Sequence, residues 1–240
     1  MLEDLKRQVL EANLSLVRHK LVLLTFGNVS GIDRKTGLVV IKPSGVAYDK
    51  LTLKNLAVVS LEGKVVEGRL RPSSDTPTHL ALYRAWPEVN AVCHTHSAYA
   101  TVFCQARVPI PCLGTTHADH FFGPIPLTRP LTRQEVQKNY EANTGKVIIE
   151  LFAKRGARGR GKPNPLDMPA ALVADHGPFS WGRDAEDAVN NSVLLEEVAR
   201  LAFKTMQLSP KARPVPSFLR NYHFLRKHGP NPSYGQNKKF

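Results

Sequence analysis

The spacing of apolar positions along this chain changes repeatedly between a helical and a strand-like period. Leu2, Leu5, Val9, Ala12 and Leu16 recur at helical spacing and predict an amphipathic first helix. Short apolar runs next to turn residues predict strands at residues 21–26, 38–41, 57–61, 64–67, 91–95 and 171–174. Helical spacing and start signals predict helices at residues 76–86, 98–106, from 132, 144–155, 184–208 and 217–227. We therefore expect one α/β domain in which helices cover a mixed sheet.

The excess positive charge of the chain is concentrated in two segments. The 240 residues include 33 Lys and Arg against 20 Asp and Glu, a net charge of +13. Nine bases and no acids lie in residues 198–240, and five more bases lie in residues 154–162. Basic segments can bind nucleic acid, but a short Arg-Gly stretch inside a globular domain is more often a loop. We expect residues 155–165 to form an exposed, solvated loop, and we expect no nucleic-acid partner.

The apolar runs, the first residues and the cysteines argue against a membrane or secreted protein. No apolar run approaches the ~20 residues that span a bilayer, and the charged residues 1–6 do not resemble a signal peptide. The three cysteines, Cys93, Cys104 and Cys112, lack the spacing of a disulfide framework. We expect a cytoplasmic protein with no membrane partner.

Histidines supply the strongest chemical signal. His94 and His96 end an apolar strand, where residues two apart share one face and lie ~6.5–7 Å apart. His176 at a turn and Asp75 before a helix are candidates for further ligands, in a set suited to Zn²⁺ or Mn²⁺. Ordinary hydrogen bonding is the alternative for the histidine pair, and a helix N-cap is the alternative for Asp75.

Turns of small residues supply a second theme. Their members are Gly27, Asn28, Ser44, Gly45, Ser73 and Ser74. Such turns can form anion-binding nests, and Lys42 adds a positive charge suited to phosphate. Plain β-turns are the alternative.

Two residues could carry protons. Asp119 lies in a polar stretch after an apolar run and could act if it is near a metal, although a turn-stabilising role is the alternative. Tyr234 near the C-terminus is either a packing residue or an acid on a tail that reaches a neighbouring site.

Seven sequence blocks together resemble the L-ribulose-5-phosphate 4-epimerases of the class II aldolase superfamily. The blocks are LTFGNVS, VIKPSGV, RPSSDTPTH, HTH, GTTHAD, DHGPF-WG and KHGPNPSYGQ. The resemblance implies a single-domain, three-layer α/β/α sandwich over residues 1–236, with 237–240 as a short basic extension. It also implies a C4-type homotetramer with sites between subunits. Residues 41–48 and 143–150 resemble members of the L-ascorbate route somewhat more than those of the L-arabinose route.

The resemblance also implies residue roles. It implies one Zn²⁺ per subunit, with Mn²⁺ or another divalent ion as the alternative, bound by Asp75, His94, His96 and His176. Asp119 and Tyr234 match the acid/base pair, with Tyr234 entering the site of an adjacent subunit. The small residues of the three turns match positions that bind the sugar phosphate.

The implied reaction interconverts L-ribulose 5-phosphate and D-xylulose 5-phosphate. C4 of a ketopentose phosphate has no acidic proton, so inversion needs a retro-aldol cut between C3 and C4 followed by re-addition. Asp119 and Tyr234 would exchange protons from two sides of the aldehyde, while the phosphate nest retains the fragment.

Two rivals share the fold. Class II sugar-phosphate aldolases of the L-fuculose- or L-rhamnulose-phosphate type tend to carry Glu where this chain has Asp75, and adducin-like binding domains lack the metal set. The chain departs from the epimerase pattern at His120 and Ser233 and in the length of residues 156–165. None of these departures removes a proposed ligand or acid/base group.

Overall fold

Seven strands form one central sheet in the computed structural model, which describes residues 2–156 and 164–233. The strands are β1 (Asn28–Asp33), β2 (Leu38–Ile41), β3 (Ala57–Ser60), β4 (Val65–Glu67), β5 (Ala91–His94), β6 (Ala170–Leu172) and β7 (Pro178–Gly182). They lie in the order β4-β3-β2-β1-β5-β7-β6, and each pairing of neighbours is antiparallel. A single parallel bridge joins Leu127 to Leu172. In the described residues, the sheet is therefore mixed only through this bridge.

Helices lie on both faces of the sheet. They are α1 (Leu2–Arg18), α2 (Thr76–Ala85), α3 (Ala98–Ala106), α4 (Thr115–Ala118), α5 (Arg133–Gly156), α6 (Ala185–Leu208) and α7 (Ser217–His228). α1 and the start of α6 cover one face, where Leu16, Cys93 and Ala188 share an apolar cluster. α2 and α5 cover the other face, where Leu80 and Phe152 belong to a second cluster with strand residues. The three-layer α/β/α prediction is confirmed.

The apolar pattern located most elements but missed two central strands. β1 and β7 contain Gly, Ser and Asn or Pro, so they lack the continuous apolar run that the pattern requires, yet both are buried. The predicted strand at residues 21–26 is wrong. Leu23, Leu24 and Phe26 are exposed there, and Leu24 has a φ of 52°, which a strand does not allow.

Local capping sets where the longer helices begin. A capping box starts α5 at the predicted residue 132, because Glu135 N donates to Thr132 Oγ1 at 3.3 Å and Thr132 N donates to Glu135 Oε2 at 2.8 Å. Asp187 N donates to the Asp184 carboxylate at 2.8 Å at the start of α6. α5 is interrupted at Asn139, where φ is −161° and ψ is 69°.

α7 packs on the α4 region at the end of the described chain. Its one buried residue, Phe224, lies with its ring centroid 4.9 Å from that of Phe122, whereas Phe218 and Tyr222 are exposed. Within residues 2–156 and 164–233, no helix combines the length and the apolar character needed to cross a membrane. Most of the predicted basic loop (157–163) and the tail from Tyr234 to residue 240 lie outside the described residues.

Candidate metal and substrate site

Three histidine side chains converge where β5 ends. His94 is paired with Asn28 on β1 and with Phe179 on β7, and its ring stacks on Phe179 with centroids 4.1 Å apart. Its Nδ1 lies 3.0 Å from the Pro178 carbonyl oxygen. Because a carbonyl can only accept, Nδ1 carries the proton and Nε2 is left with a lone pair. The His96 Nε2 atom lies 3.1 Å from His94 Nε2.

A tight turn between β6 and β7 delivers His176 to the same point. His176 N donates to Val173 O at 3.1 Å, and Val173 N donates to Gly177 O at 3.1 Å. The His176 ring centroid is 4.7 Å from that of His94 and 5.1 Å from that of His96. One nitrogen from each of the three rings lies within 4.8 Å of the other two, so together they could hold one metal ion.

Gly177 makes this close approach sterically feasible. A Cβ added at Gly177 would lie 2.8 Å from Thr95 O and 3.2 Å from Cδ2 of His96. On its other side the turn is held by Arg107, which donates twice to the Asp175 carboxylate at 2.8 Å. A larger residue at Gly177 would therefore push the turn away from the segment after β5 that carries His96.

Desolvation lowers the pKa of two of the three histidines, His96 and His176. It lowers the pKa of His176 to about 3, with further lowering from His94 and His96. Burial also lowers the pKa of His96, and His94 adds to that effect. Neutral imidazoles are the form that binds a metal, so these side chains are ready to act as ligands at neutral pH.

Asp75 stands at the N-terminus of α2 but does not act as a cap. Its side chain makes no capping hydrogen bond and instead accepts from Asn28 Nδ2 at 2.6 Å. Burial raises the pKa of Asp75, but the charges of His94 and His79 and the Asn28 amide outweigh burial, so the pKa is lowered. The N-cap alternative is therefore wrong, and an ionised carboxylate lies beside the histidines.

A ladder of polar contacts connects α2 to β1 beneath Asp75. Asp75, His79 and Tyr83 lie four residues apart on one face of α2, and Asn28 and Ser30 lie two apart on one face of β1. Ser30 Oγ lies 2.7 Å from His79 Nδ1 and 2.6 Å from Tyr83 OH. Burial lowers the pKa of His79 to about 3, and its buried Nε2 has no hydrogen-bond partner in the described structure.

Lys42 points a buried ammonium towards the same region. The side chain is 2% exposed. Its Nζ donates to Thr25 O at 3.2 Å and lies 4.9 Å from the centre of the Tyr48 ring. Burial lowers the pKa of Lys42, and Asp75 partly offsets that effect.

Backbone hydrogen bonds join the two serine-containing turns. Ser44 N donates to Arg71 O at 2.9 Å, and Ser73 N donates to Lys42 O at 3.0 Å. Gly45 has a φ of 69°, which lies in the left-handed region that glycine adopts without strain. The two turns are thereby fixed side by side.

The three histidines, Asp75, Lys42 and the two serine-containing turns line one cavity of about 370 Å³. The residues predicted as substrate contacts or metal ligands that line it are Gly27, Asn28, Lys42, Ser44, Gly45, Ser73, Ser74, Asp75, His94, His96 and His176. The predictions missed five further lining residues, Thr25, Phe26, Pro43, Tyr140 and Glu141. Phe26 stacks on His96 with ring centroids 6.0 Å apart.

The family model described as the Class II Aldolase and Adducin N-terminal domain matches residues 7–203. This chain belongs to the class II aldolase and adducin family. Two relatives named L-ribulose-5-phosphate 4-epimerase UlaF, from Salmonella paratyphi B and Salmonella typhi, are each 55% identical to it over 235 residues. That alignment covers 98% of this chain and 100% of each relative.

Solved structures of the family have the same fold. An L-fuculose 1-phosphate aldolase superposes with a TM-score of 0.75 at 25% identity, covering 92% of this chain and 94% of that one. YgbL from Escherichia coli, described as a putative aldolase/epimerase/decarboxylase, has a TM-score of 0.69 at 26% identity, covering 92% and 97%.

In this class II aldolase family member, Asp119 lies apart from the histidine cavity. Its carboxylate accepts from Arg226 Nη2 at 2.9 Å and from His223 Nδ1 at 2.9 Å, both on α7. Burial raises the pKa of Asp119, but the hydrogen bonds from Arg226 and His223 outweigh burial and lower it. Asp119 is not among the described residues that line the cavity, and Tyr234 lies outside the described residues. Within the described residues of one subunit, Asp119 therefore does not lie at the histidines.

Tyr140 and Glu141 are the most chemically capable of the missed residues. They follow the interruption of α5 at Asn139, which turns this stretch towards the cavity. The sequence signal that could have found them is weak. Asn139 is a poor helix former between two helical stretches, and poor helix formers often occur inside helices without breaking them.

Proposed function

We propose that this chain is a divalent-metal-dependent L-ribulose-5-phosphate 4-epimerase. The observation that carries the proposal is the single cavity that joins three imidazoles and a carboxylate to Lys42 and two serine-containing turns. A metal end and a phosphate end in one cavity suit a phosphorylated sugar. The 55% identity to relatives named as this epimerase supports the same substrate.

The donor set fits Zn²⁺. His94, His96 and His176 would hold it, with Asp75 as the nearby carboxylate, and neutral imidazole nitrogens with a carboxylate oxygen suit Zn²⁺ or Mn²⁺. When bound, the ion would supply a Lewis acid for the negative charge that develops on substrate oxygens.

The part of the cavity lined by Lys42 and the serine-containing turns would hold the phosphate. The backbone N–H groups of Ser44 and Ser73 already donate to carbonyl oxygens, so the donors for phosphate would be the serine hydroxyls, the Gly45 N–H and the Lys42 ammonium. Holding the phosphate keeps a cleaved fragment in place while its aldehyde turns.

Proton transfer would involve Asp119 and Tyr234. One of them would accept the C4 hydroxyl proton as the C3–C4 bond breaks and leaves its electrons on the C2–C3 fragment. The aldehyde would present its other face, the bond would re-form, and the opposite group would return a proton to the C4 oxygen. Two groups are needed because both faces of the aldehyde are used in turn.

We further propose a C4-type homotetramer in which Tyr234 enters the cavity of an adjacent subunit. Tyr234 follows α7 in the sequence, and α7 holds Asp119 through Arg226. Phe218 and Tyr222 on α7 and Leu24 beside the cavity are exposed apolar side chains that a neighbouring subunit could cover.

The extent of the domain and its location complete the proposal. We assign residues 1–236 to the catalytic domain and residues 237–240 to a short extension. A cytoplasmic location is supported by the three cysteines, which are all buried thiols.

The deciding experiment incubates the metal-loaded protein with L-ribulose 5-phosphate. Formation of D-xylulose 5-phosphate is the expected result. Accumulation of dihydroxyacetone and glycolaldehyde phosphate would instead support the aldolase alternative. That alternative is relevant because an L-fuculose 1-phosphate aldolase has the same fold.

Two variants test the residue roles. His96→Asn should lower metal content and turnover together. His19→Asn is the control and should change neither, because His19 is exposed and does not line this cavity. Tyr234→Phe should slow epimerisation and leave metal content intact. Wild-type turnover in metal-free His96→Asn would overturn the metal assignment, and unchanged turnover in Tyr234→Phe would remove Tyr234 from the acid/base pair.

A further inference from the structure

Tyr140 contacts one of the three converging histidines directly. Its hydroxyl lies 3.1 Å from His176 Nδ1, and the two ring centroids are 5.8 Å apart. Tyr140 also lines the cavity, so one hydroxyl touches both a candidate metal ligand and the space for substrate. Neither the sequence pattern nor the resemblance gave this residue a role.

The fold holds Tyr140 in this place from both sides of the break in α5. Before the break, Glu135 O accepts from Asn143 Nδ2 at 2.9 Å, which ties the two parts of the helix together. After the break, Glu141 O accepts from Thr78 Oγ1 at 2.6 Å, which ties the second part to α2. The interruption at Asn139 is therefore a fixed feature that aims Tyr140 at His176.

The hydrogen bonds of the histidines differ in one respect. His94 Nδ1 faces a carbonyl oxygen, so its tautomer is already set. His176 Nδ1 faces a hydroxyl, which can either donate or accept. If His176 Nε2 binds a cation, its remaining ring proton must sit on Nδ1, and the Tyr140 oxygen must accept it. The phenol proton then has to point elsewhere, and the cavity lies on its open side.

We propose that Tyr140 is a positioning residue that accepts the Nδ1 proton of His176, leaves Nε2 to the metal, and thereby turns its own O–H into the cavity as a donor to a sugar-phosphate oxygen. This inference rests on the proposed metal-dependent function. A tyrosine phenol ordinarily keeps its proton at neutral pH, so the hydroxyl has a proton to donate. Metal binding and substrate binding are then coupled through one hydrogen bond.

The first test is the metal affinity of Tyr140→Phe, measured by competition with a chromogenic chelator for Zn²⁺ or Co²⁺ in the absence of substrate. Loss of a hydrogen-bond partner behind a metal-binding histidine typically weakens binding about 10- to 100-fold, and we expect a loss of that size. Tyr99→Phe is the matched control, because it removes a phenol from a partly buried tyrosine outside the cavity, and its affinity should stay within about twofold of wild type. The metal-free melting temperatures of all three proteins should agree within about 3 °C, which separates positioning from a general loss of structure.

The second test uses a pentitol 5-phosphate, which lacks the carbonyl and cannot be cleaved, with every protein saturated with metal. Loss of one neutral hydrogen bond corresponds to about three- to tenfold weaker binding, and we expect this for Tyr140→Phe alone. Unchanged metal affinity in Tyr140→Phe would overturn the positioning role. Weakened metal binding with unchanged pentitol phosphate binding would overturn the donor role.

The two proposals fail in different ways. If the wild-type protein binds no divalent metal, the proposed function and this inference fall together. If the wild type binds metal and epimerises its substrate while Tyr140→Phe binds metal equally well, only the role of Tyr140 is lost.

Discussion

The Asn28 side-chain amide donates to the Asp75 carboxylate across 2.6 Å, although 47 residues separate them. The contact joins the first residue of β1 to the start of α2. The same amide lies 3.0 Å from Ser73 Oγ, so one side chain ties a strand, a turn and a helix together at the wall of the cavity.

Removing that amide should destabilise the metal-free protein. Asn28→Ala leaves the Asp75 carboxylate without its closest donor, and a hydrogen bond to a charged group is worth about 1.5–3 kcal/mol. We expect a loss of that size in urea denaturation at pH 7. Asn28→Asp should be worse than Asn28→Ala, because it sets a second carboxylate against the first. An Asn28→Asp protein as stable as wild type would contradict this account of the contact.

Gly177→Ala should weaken metal binding. The added methyl would lie 2.8 Å from Thr95 O, so the turn that carries His176 has to move away from the segment after β5 that carries His96. We expect at least a tenfold loss of Zn²⁺ affinity in chelator competition and a loss of about 1–3 kcal/mol in stability. Gly114→Ala is the matched control, because a Cβ there meets nothing within 4 Å. Equal metal affinity in the two variants would show that the turn can accommodate a Cβ at residue 177 without displacing His176.

Stability of the metal-free protein should fall as the pH drops below about 6.5. Burial lowers the pKa of His79 to about 3 and that of His117 to about 4, from an ordinary value of 6.5. In this pH range the unfolded chain therefore binds protons that the folded chain does not. Each such histidine lowers the free energy of unfolding by about 1.4 kcal/mol per pH unit between its folded and unfolded pKa values. Urea titrations in chelator from pH 7.5 to 4.5 measure the slope.

His79→Gln should reduce the slope of unfolding free energy against pH by the equivalent of one proton. His117→Gln, at a histidine away from the cavity, should do the same and serves if His79→Gln does not fold. The converse result, a slope that neither variant changes, would mean that these rings are protonated in the folded protein.

Asp119 should add to the loss of stability at low pH, in the same direction as the histidines but at lower pH. Its pKa is lowered from 3.8, so its ionised contacts with α7 stabilise the protein above that value and are lost as the pH falls through the lowered pKa. Asp119→Asn should therefore cost about 1–2 kcal/mol at pH 7 and progressively less below about pH 4. Asp49→Asn, at an exposed acid, is the control. A cost for Asp119→Asn that is independent of pH would assign the contact to packing and not to charge.

Sequence reasoning worked best where chemistry and local structure coincide. The histidine pair at the end of a strand, the turn at His176 and the serine-containing turns all line one cavity, as their residue types suggested. A turn is defined by neighbouring residues, so its chemistry can be recognised from the sequence alone.

The sequence revealed less where placement depends on distant parts of the chain. Asp119 is held by α7, more than 100 residues later, and no local pattern reveals that contact. The strand pattern at residues 21–26 was outweighed by a turn that leaves Leu24 exposed, since apolar content does not specify backbone φ. Tyr140 owes its position to a break in a helix that weak propensities alone do not predict.

The pairing of Asn28, His94 and Phe179 across β1, β5 and β7 has a consequence for folding. A slip of one residue in either pairing would turn the affected side chains to the opposite face of the sheet. Such a misfolded chain could still be compact, but its imidazoles would no longer meet. Metal binding would then act as a check on strand register, because only correctly aligned molecules would gain the stability that the ion provides.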